Sequence, residues 1–214
     1  MRVAIVGGTA GLGYALAARL AHAGVDVVIG SRQAEKAAEA AATLGVEGQE
    51  NMRSVVGADI VVVTVPYPAM GAIYKALKET LPAGAVVIDA TAPLASEVGG
   101  KPTRMIGVWE GSAAQFAKSL LGKDIHLASG FHTVMANALA DVSTPLACDI
   151  LVCGDAEGKS AAQSLIEKIE GARYVDCGPL ENARILESLV ALIIGIQIRN
   201  KLERGAGIRI TGLD

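Results

Sequence analysis

Aromatic rings are scarce in this 214-residue chain, at 3% of positions against 51% hydrophobic residues overall. Its core must therefore be built mainly from Ala, Val, Ile and Leu. Three cysteines, Cys148, Cys153 and Cys177, are an odd number without C-x-x-C spacing, which excludes a disulfide framework or a zinc site and leaves buried structural thiols. There is no excess of positive charge. A formal net charge of −3 gives no reason to expect nucleic acid or an anionic membrane surface as partner. The longest apolar run, residues 189–198, contains Gly195 and Gln197 and is too short to span a bilayer. The chain begins directly on a strand pattern, without the features of a signal or transit peptide. These absences point to a soluble, cytoplasmic globular protein whose length suits one domain or one and a half.

What is present alternates. Short β-branched runs at residues 2–6, 25–29, 59–65, 85–88 and 124–129 read as strands. Ala-rich stretches at 11–23, 34–44, 67–80 and 112–121 read as helices. The strands are unalternated, as in a parallel sheet covered on both faces. After about Asp141 the texture changes to a strand at 149–153, a helix at 158–170, a strand at 173–176 and a long helix at 180–203. The predicted fold is α/β: a Rossmann-like doubly wound parallel sheet over residues 1–141, with a second, smaller α/β domain over 142–214 packed behind it.

Residues 6–13, VGGTAGLG, lie between a strand and a helix as a dinucleotide fingerprint requires. Gly8-x-Ala10-x-x-Gly13 fits the G-x-G-x-x-G spacing if Ala10 replaces the second glycine, and its methyl group then sits where the backbone approaches a pyrophosphate. A second register, Gly7-x-x-x-Gly11-x-Gly13, has short-chain dehydrogenase spacing. In either register the free N–H groups of a helix N-terminus face phosphate. The end of the second strand normally carries a carboxylate for the ribose of NAD. Here it reads GSRQAEK, residues 30–36. Arg32 offers a guanidinium fork, Ser31 a hydroxyl, Lys36 a point charge and Thr9 a hydroxyl from the facing loop, a set that suits the 2′-phosphate of NADP. The alternative is a solvated helix start, with Lys36 spaced to pair with Glu35 and Glu39.

Val65-Pro66 and Ala92-Pro93 each end a predicted strand on the side where open α/β sheets bind ligands. His132, in SGFHTVMAN, follows another strand and is the candidate polar residue of that crevice. His22, His126, Asp59 and Asp89 read as structural or capping residues.

The segments MRVAIVGGTAGLG, GSRQAEK, DIVVVTVPY, SGFHT, CDILVCGD, DCGPLENARILESL and GAGIRITGL, in this order over nearly the whole chain, resemble the NADPH-dependent reductases of the deazaflavin coenzyme F420. The resemblance implies reversible hydride transfer between NADP(H) and coenzyme F420 in a cleft between the two domains. It implies that Thr9, Ala10, Gly11, Leu12, Ser31, Arg32 and Lys36 hold the NADP phosphates. Val65, Ala69, Ala92, Val134 and Ala136 would line the rest of the cofactor's path. His132 would orient the acceptor, with no certain catalytic residue and no metal. It also implies a homodimer. One departure is the glycine that the family commonly has at position 10, here shifted to 11. The C-terminal helix is apolar on more than one face, and Arg199, Lys201, Arg204 and Arg209 follow against Glu203 alone, which suits an anionic cofactor tail as well as an ordinary solvated helix end. Two other functions fit parts of the pattern. One is an NADP-dependent dehydrogenase or imine reductase acting on a small metabolite, for which Tyr74–Lys78 is the only Y-x-x-x-K pair. The other is a non-catalytic NADP-sensing module.

Overall fold

A computed structural model describes residues 1–203 and 205–213. The β-branched runs form strands because each can bury both faces. β1 (Arg2–Val6) sends Val3 and Ile5 into one apolar cluster and Ala4 and Val6 into another on the opposite face of the sheet. Parallel to it run β2 (Asp26–Ser31) on one side and β4 (Ile60–Val63) on the other, with Ala4 registered against Val28 and Val61. β5 (Val86–Asp89) and β6 (His126–Ser129) continue the parallel series. β7 (Asp149–Gly154) joins β6 antiparallel, and β8 (Arg173–Asp176) returns parallel to β7. With β3 (Glu47–Glu50) at the far edge, the order is β3-β2-β1-β4-β5-β6-β7-β8. The winding reverses between β1 and β4, and in such sheets the crevice at that reversal receives ligands.

Helices cover both faces. α1 (Gly11–His22) packs Leu16 and Leu20 onto Val3, Ile5 and Ile29, while α4 (Met70–Thr80) and α5 (Ala113–Leu121) place Met70, Tyr74, Leu77 and Ala117 on the other side. Each fully buried Leu, Ile or Val contributes about 1.5–3 kcal/mol relative to exposure, so these clusters dominate the fold's stability. α2 (Ala34–Leu44) ends where Gly45 turns left-handed at φ 66°.

Several boundaries differ from the predicted ones, each for a local reason. The expected helix 67–80 begins as a 3-10 turn, Tyr67–Ala69, closed by Ala69 N donating to Pro66 O at 2.9 Å. The helix expected at 158–170 is α7 (Ala156–Ile166); Asp155 starts it early by accepting from Gly158 N at 2.8 Å. The long C-terminal helix is a 3-10 turn, Leu180–Asn182, followed by α8 (Ala183–Asn200), with Lys201 left-handed beyond it. β3, α3 (Asn51–Ser54) and α6 (Ala136–Ala140) are additional elements. β3 is polar throughout, and α2 lies directly on it: a Cβ at Gly48 would stand 2.2 Å from Ala37 O. Leu186, Glu187, Ala191, Ile193 and Gly195 form a buried side of α8, but Ile185, Leu192, Ile196 and Ile198 are exposed, so this chain alone does not cover the helix on several sides.

The C-terminal segment is fastened to β7 by one carboxylate. Asp149 is fully buried; it accepts from Arg173 Nε at 2.9 Å and Nη2 at 2.9 Å, from Arg209 Nη1 at 3.0 Å and from Ile210 N at 2.7 Å. Arg209 is thus committed to the protein rather than free for an anionic tail. Arg199 and Lys201 are exposed, and Arg204 lies outside the described residues. Cys148 and Cys153 are buried and Cys177 is half-buried, all three as free thiols. Among the described residues no helix is long and apolar enough to cross a membrane.

Candidate active site

The turn from β1 into α1 is shaped by four glycines. Gly7 N and Gly8 N both donate to Gly30 O, at 3.1 and 3.0 Å, which pins the turn to β2. Gly13 permits close packing against β4: a Cβ there would lie 2.3 Å from Thr64 Oγ1 and 2.9 Å from Gly7 O. Gly11 takes φ 53°, the left-handed region that glycine adopts without penalty. Ala10, by contrast, is extended at φ −156° and ψ 169°. Glycine is required at 11 and not at 10, which accounts for the shifted motif. Ala10 is the N-cap of α1 and supplies no side-chain acceptor, and no acid stands in the first turn. The helix's first N–H groups are therefore open to an anion and favoured by the dipole. Thr9 and Leu12 beside them are half-buried, and Ala10 and Gly11 are exposed. This end of the helix fits the diphosphate of a dinucleotide.

Ser31 ends β2 and is buried, its Oγ accepting from Gln33 N at 3.3 Å. Arg32 and Lys36 are exposed at the start of α2, as a solvated helix start would have them, and among the described residues neither forms an ion pair, with Glu35 and Glu39 or otherwise. Two uncommitted cations with a serine beside the glycine turn fit a 2′-phosphate better than a ribose hydroxyl.

At the C-terminal ends of β4 and β5 lies a cavity of about 270 Å³, walled by Leu12, Val65, Ala92, Val134 and Ala136, with His132 at its border. β4 stops at Val63 and β5 at Asp89, short of the expected ends at Val65-Pro66 and Ala92-Pro93, and the segments that follow each strand carry Val65 and Ala92 to the cavity. Ala69 is not part of this wall; it sits half-buried in its 3-10 turn, donating to Pro66 O at 2.9 Å. Thr91, Glu97, Met135 and Val190 also line the cavity. They carry no motif, and only their place after a strand or on a helix could have suggested them.

His132 is held by its surroundings rather than by a carboxylate. Phe131 before it is fully buried with φ 67°, a left-handed conformation uncommon for a large side chain. His132 Nε2 and Ser129 Oγ are 2.9 Å apart, and Nδ1 has no partner among the described residues. Burial pushes the imidazole down to about 4, so it is neutral at physiological pH and can orient a ligand without carrying a proton to it. Because the unfolded chain binds this proton near pH 6.5 and the folded one only near 4, stability falls as pH drops through that interval. Thermal denaturation at stepped pH should show this slope in the wild type and a shallower one in His132→Gln.

The remaining titratable groups support the scaffold. The Tyr74 hydroxyl donates to Asp89 Oδ1 at 2.7 Å, and both residues are fully buried, whereas Lys78 is exposed. Tyr74–Lys78 is thus no proton-transfer pair at the cleft. Burial raises Asp89 to about 6, with Tyr74 opposing. Glu187, buried on α8, accepts from Ala113 N at 2.8 Å and Ala114 N at 3.0 Å, joining α8 to the start of α5; burial and the charge of Asp89 raise it to about 8. Asp59 accepts from Arg2 N at 2.7 Å. His22 lies at the exposed end of α1, and His126 stands 3.5 Å from both Asp155 and Glu157.

Residues 2–93 match the family model described as NADP oxidoreductase, coenzyme F420-dependent. The F420-dependent NADP reductase of Methanothermobacter thermautotrophicus is 43% identical, over 100% of this chain and 96% of its own length. The chain belongs to the F420-dependent NADP reductase family. The reductase of that name from Methanocaldococcus jannaschii is 40% identical, with 100% of both chains covered. Among solved structures, a candidate F420 dependent NADP-reductase from Arthrobacter sp. FB24 superposes with a TM-score of 0.82 at 21% identity, covering 98% of this chain and 99% of that one. It shares the α/β fold of this chain, including the part beyond residue 141. An imine reductase from Myxococcus stipitatus, at 16% identity and a TM-score of 0.62, covers 95% of this chain and shares the fold.

Proposed function

We propose that the protein is an oxidoreductase that transfers a hydride reversibly between NADP(H) and the deazaflavin coenzyme F420. One observation carries the reading: an open helix N-terminus and a pair of uncommitted cations, Arg32 and Lys36, stand on the same sheet as a cleft bordered by a neutral, buried histidine. In this reading Thr9, Ala10, Gly11 and Leu12 hold the diphosphate, and Ser31, Arg32 and Lys36 hold the 2′-phosphate. Val65, Ala92, Val134 and Ala136 flank the path towards the nicotinamide. NADPH supplies the hydride and F420 accepts it, or the reverse. The protein's own part is to hold two planar rings with the reacting carbons about 3–3.5 Å apart and to exclude water. Small side chains at Ala92 and Ala136 permit that approach, and His132 orients the acceptor.

The burial of Tyr74 and its bond to Asp89 speak against a small-metabolite dehydrogenase that uses a Tyr–Lys pair. We assign residues 1–141 to NADP binding and 142–214 to a smaller unit that completes the deazaflavin pocket. The exposed Ile185, Leu192 and Ile196 on α8 fit a homodimer, since a face of this kind is commonly covered in a stable assembly. The negative charge and short apolar runs suit a cytoplasmic enzyme without membrane or nucleic-acid partners.

The decisive assay mixes purified protein, NADPH and oxidised F420. The visible band of F420 is expected to bleach, and deuterium at the transferred position of NADPH to be recovered in the reduced deazaflavin without exchange into water. Initial rates should follow sequential kinetics. His132→Gln should retain turnover within about tenfold, against the 10²–10⁴-fold that loss of a general acid costs. Binding of NADPH without turnover would leave the sensing module, and turnover only with a small imine or hydroxy acid would replace the reading.

A further inference from the structure

Arg19 is a charged residue in a place where a charge is costly. It lies on α1, two turns after the glycine-rich turn, and is only 3% exposed. Burying a cation is unfavourable unless its donors are satisfied, and a guanidinium, being planar and weakly hydrated, tolerates it best. Here all three nitrogens reach backbone carbonyls in one distant segment. Nε donates to Leu139 O at 3.0 Å and Nη1 to Thr144 O at 2.9 Å, while Nη2 donates to Ala138 O at 3.0 Å and Asp141 O at 2.5 Å. Two of these acceptors, Ala138 and Leu139, belong to the last turn of α6, whose carbonyls have no partner within the helix. Arg19 therefore caps α6 from another helix.

This arrangement spans the cofactor site. The N-terminus of α1 fits the diphosphate, and Val134 and Met135 before α6, with Ala136 at its start, form a wall of the cleft. One side chain joins the two over more than a hundred residues of sequence. The geometry points to Arg19 as a positioning residue that holds the α6 wall at a fixed place relative to the glycine-rich turn, and so sets where the nicotinamide end of NADP(H) lies. This rests on the reading of the cleft as the NADP(H) site.

A positioning role acts on one end of the nucleotide only, and that separates it from general support of the fold. Adenosine 2′,5′-bisphosphate carries the adenosine and 2′-phosphate but no nicotinamide. In Arg19→Lys, which keeps the charge but loses the fork, its affinity should stay within twofold of wild type. The affinity for NADPH should fall towards that of the bisphosphate, and kcat with F420 should drop about tenfold or more, as expected when reacting groups are displaced by a fraction of an ångström. Equal losses for both nucleotides, or no loss for either, would overturn the assignment. A second measurement needs no variant. Hydrogen exchange of the wild type should show amides at 136–144 protected by NADPH and not by the bisphosphate; equal protection by both, or by neither, also overturns it. If the wild type fails to reduce F420, the proposed reaction is wrong, while the ratio of nucleotide affinities still reports on Arg19.

Discussion

Asp149→Asn is expected to destabilise the protein by about 3–5 kcal/mol, the range for breaking a buried ion pair by removing one partner. The fully buried carboxylate accepts from Arg173, Arg209 and the Ile210 amide together. An amide of the same shape would turn its NH2 group towards at least one of these donors. The arginines, chiefly Arg173, hold this carboxyl well below the usual carboxylate range, against the opposing effect of burial. Its contribution is therefore complete above pH 3.8, the ordinary aspartate value, and declines as pH falls below it. Urea titrations should show a lower midpoint for the Asp149→Asn variant at pH 7, with the gap narrowing in acid. Equal midpoints at pH 7 would mean that the cluster contributes nothing net. Turnover should fall as well, because the fastened segment supports the cleft wall: a Cβ at Gly205 would lie 2.6 Å from Met135 Cβ.

Arg32→Ala should weaken NADPH binding by about tenfold to a hundredfold while changing NADH binding little. Arg32 is exposed and has no hydrogen bond or ion pair among the described residues, so its removal should read nucleotide contact. Salt should reduce the difference, since exposed charges are screened within about 10 Å at 0.1 M ionic strength. Fluorescence titration of both nucleotides at two salt concentrations measures it. Parallel losses for NADPH and NADH would remove Arg32 from the 2′-phosphate.

The parts legible in the sequence were those whose cause is local. β1, α2 and β8 have the predicted limits because a β-branched run or a helix ended by glycine leaves little choice. β3 was illegible since Glu-Gly-Gln-Glu has no apolar alternation; it is a strand only because β2 offers a free edge, with Ile29 registered against Gly48. The glycine-rich turn and the cations could be read because their chemistry is carried by residue type. Arg19, Asp149 and Glu187 could not: each looks like a surface charge in sequence, and only the crossing of distant segments buries it.

The sheet ends at β3 and β8, strands of four residues each, and both carry a charged residue at either end, Glu47 and Glu50 in one, Arg173 and Asp176 in the other. Short edges of this kind are poor templates for a further strand, because an incoming chain gains few ladder bonds and must desolvate ionised groups. The molecule is thereby protected from runaway edge-to-edge polymerisation at high concentration. The exposed apolar residues Ile185, Leu192 and Ile196 of α8 offer a different kind of surface, and a two-fold contact there would close at two copies.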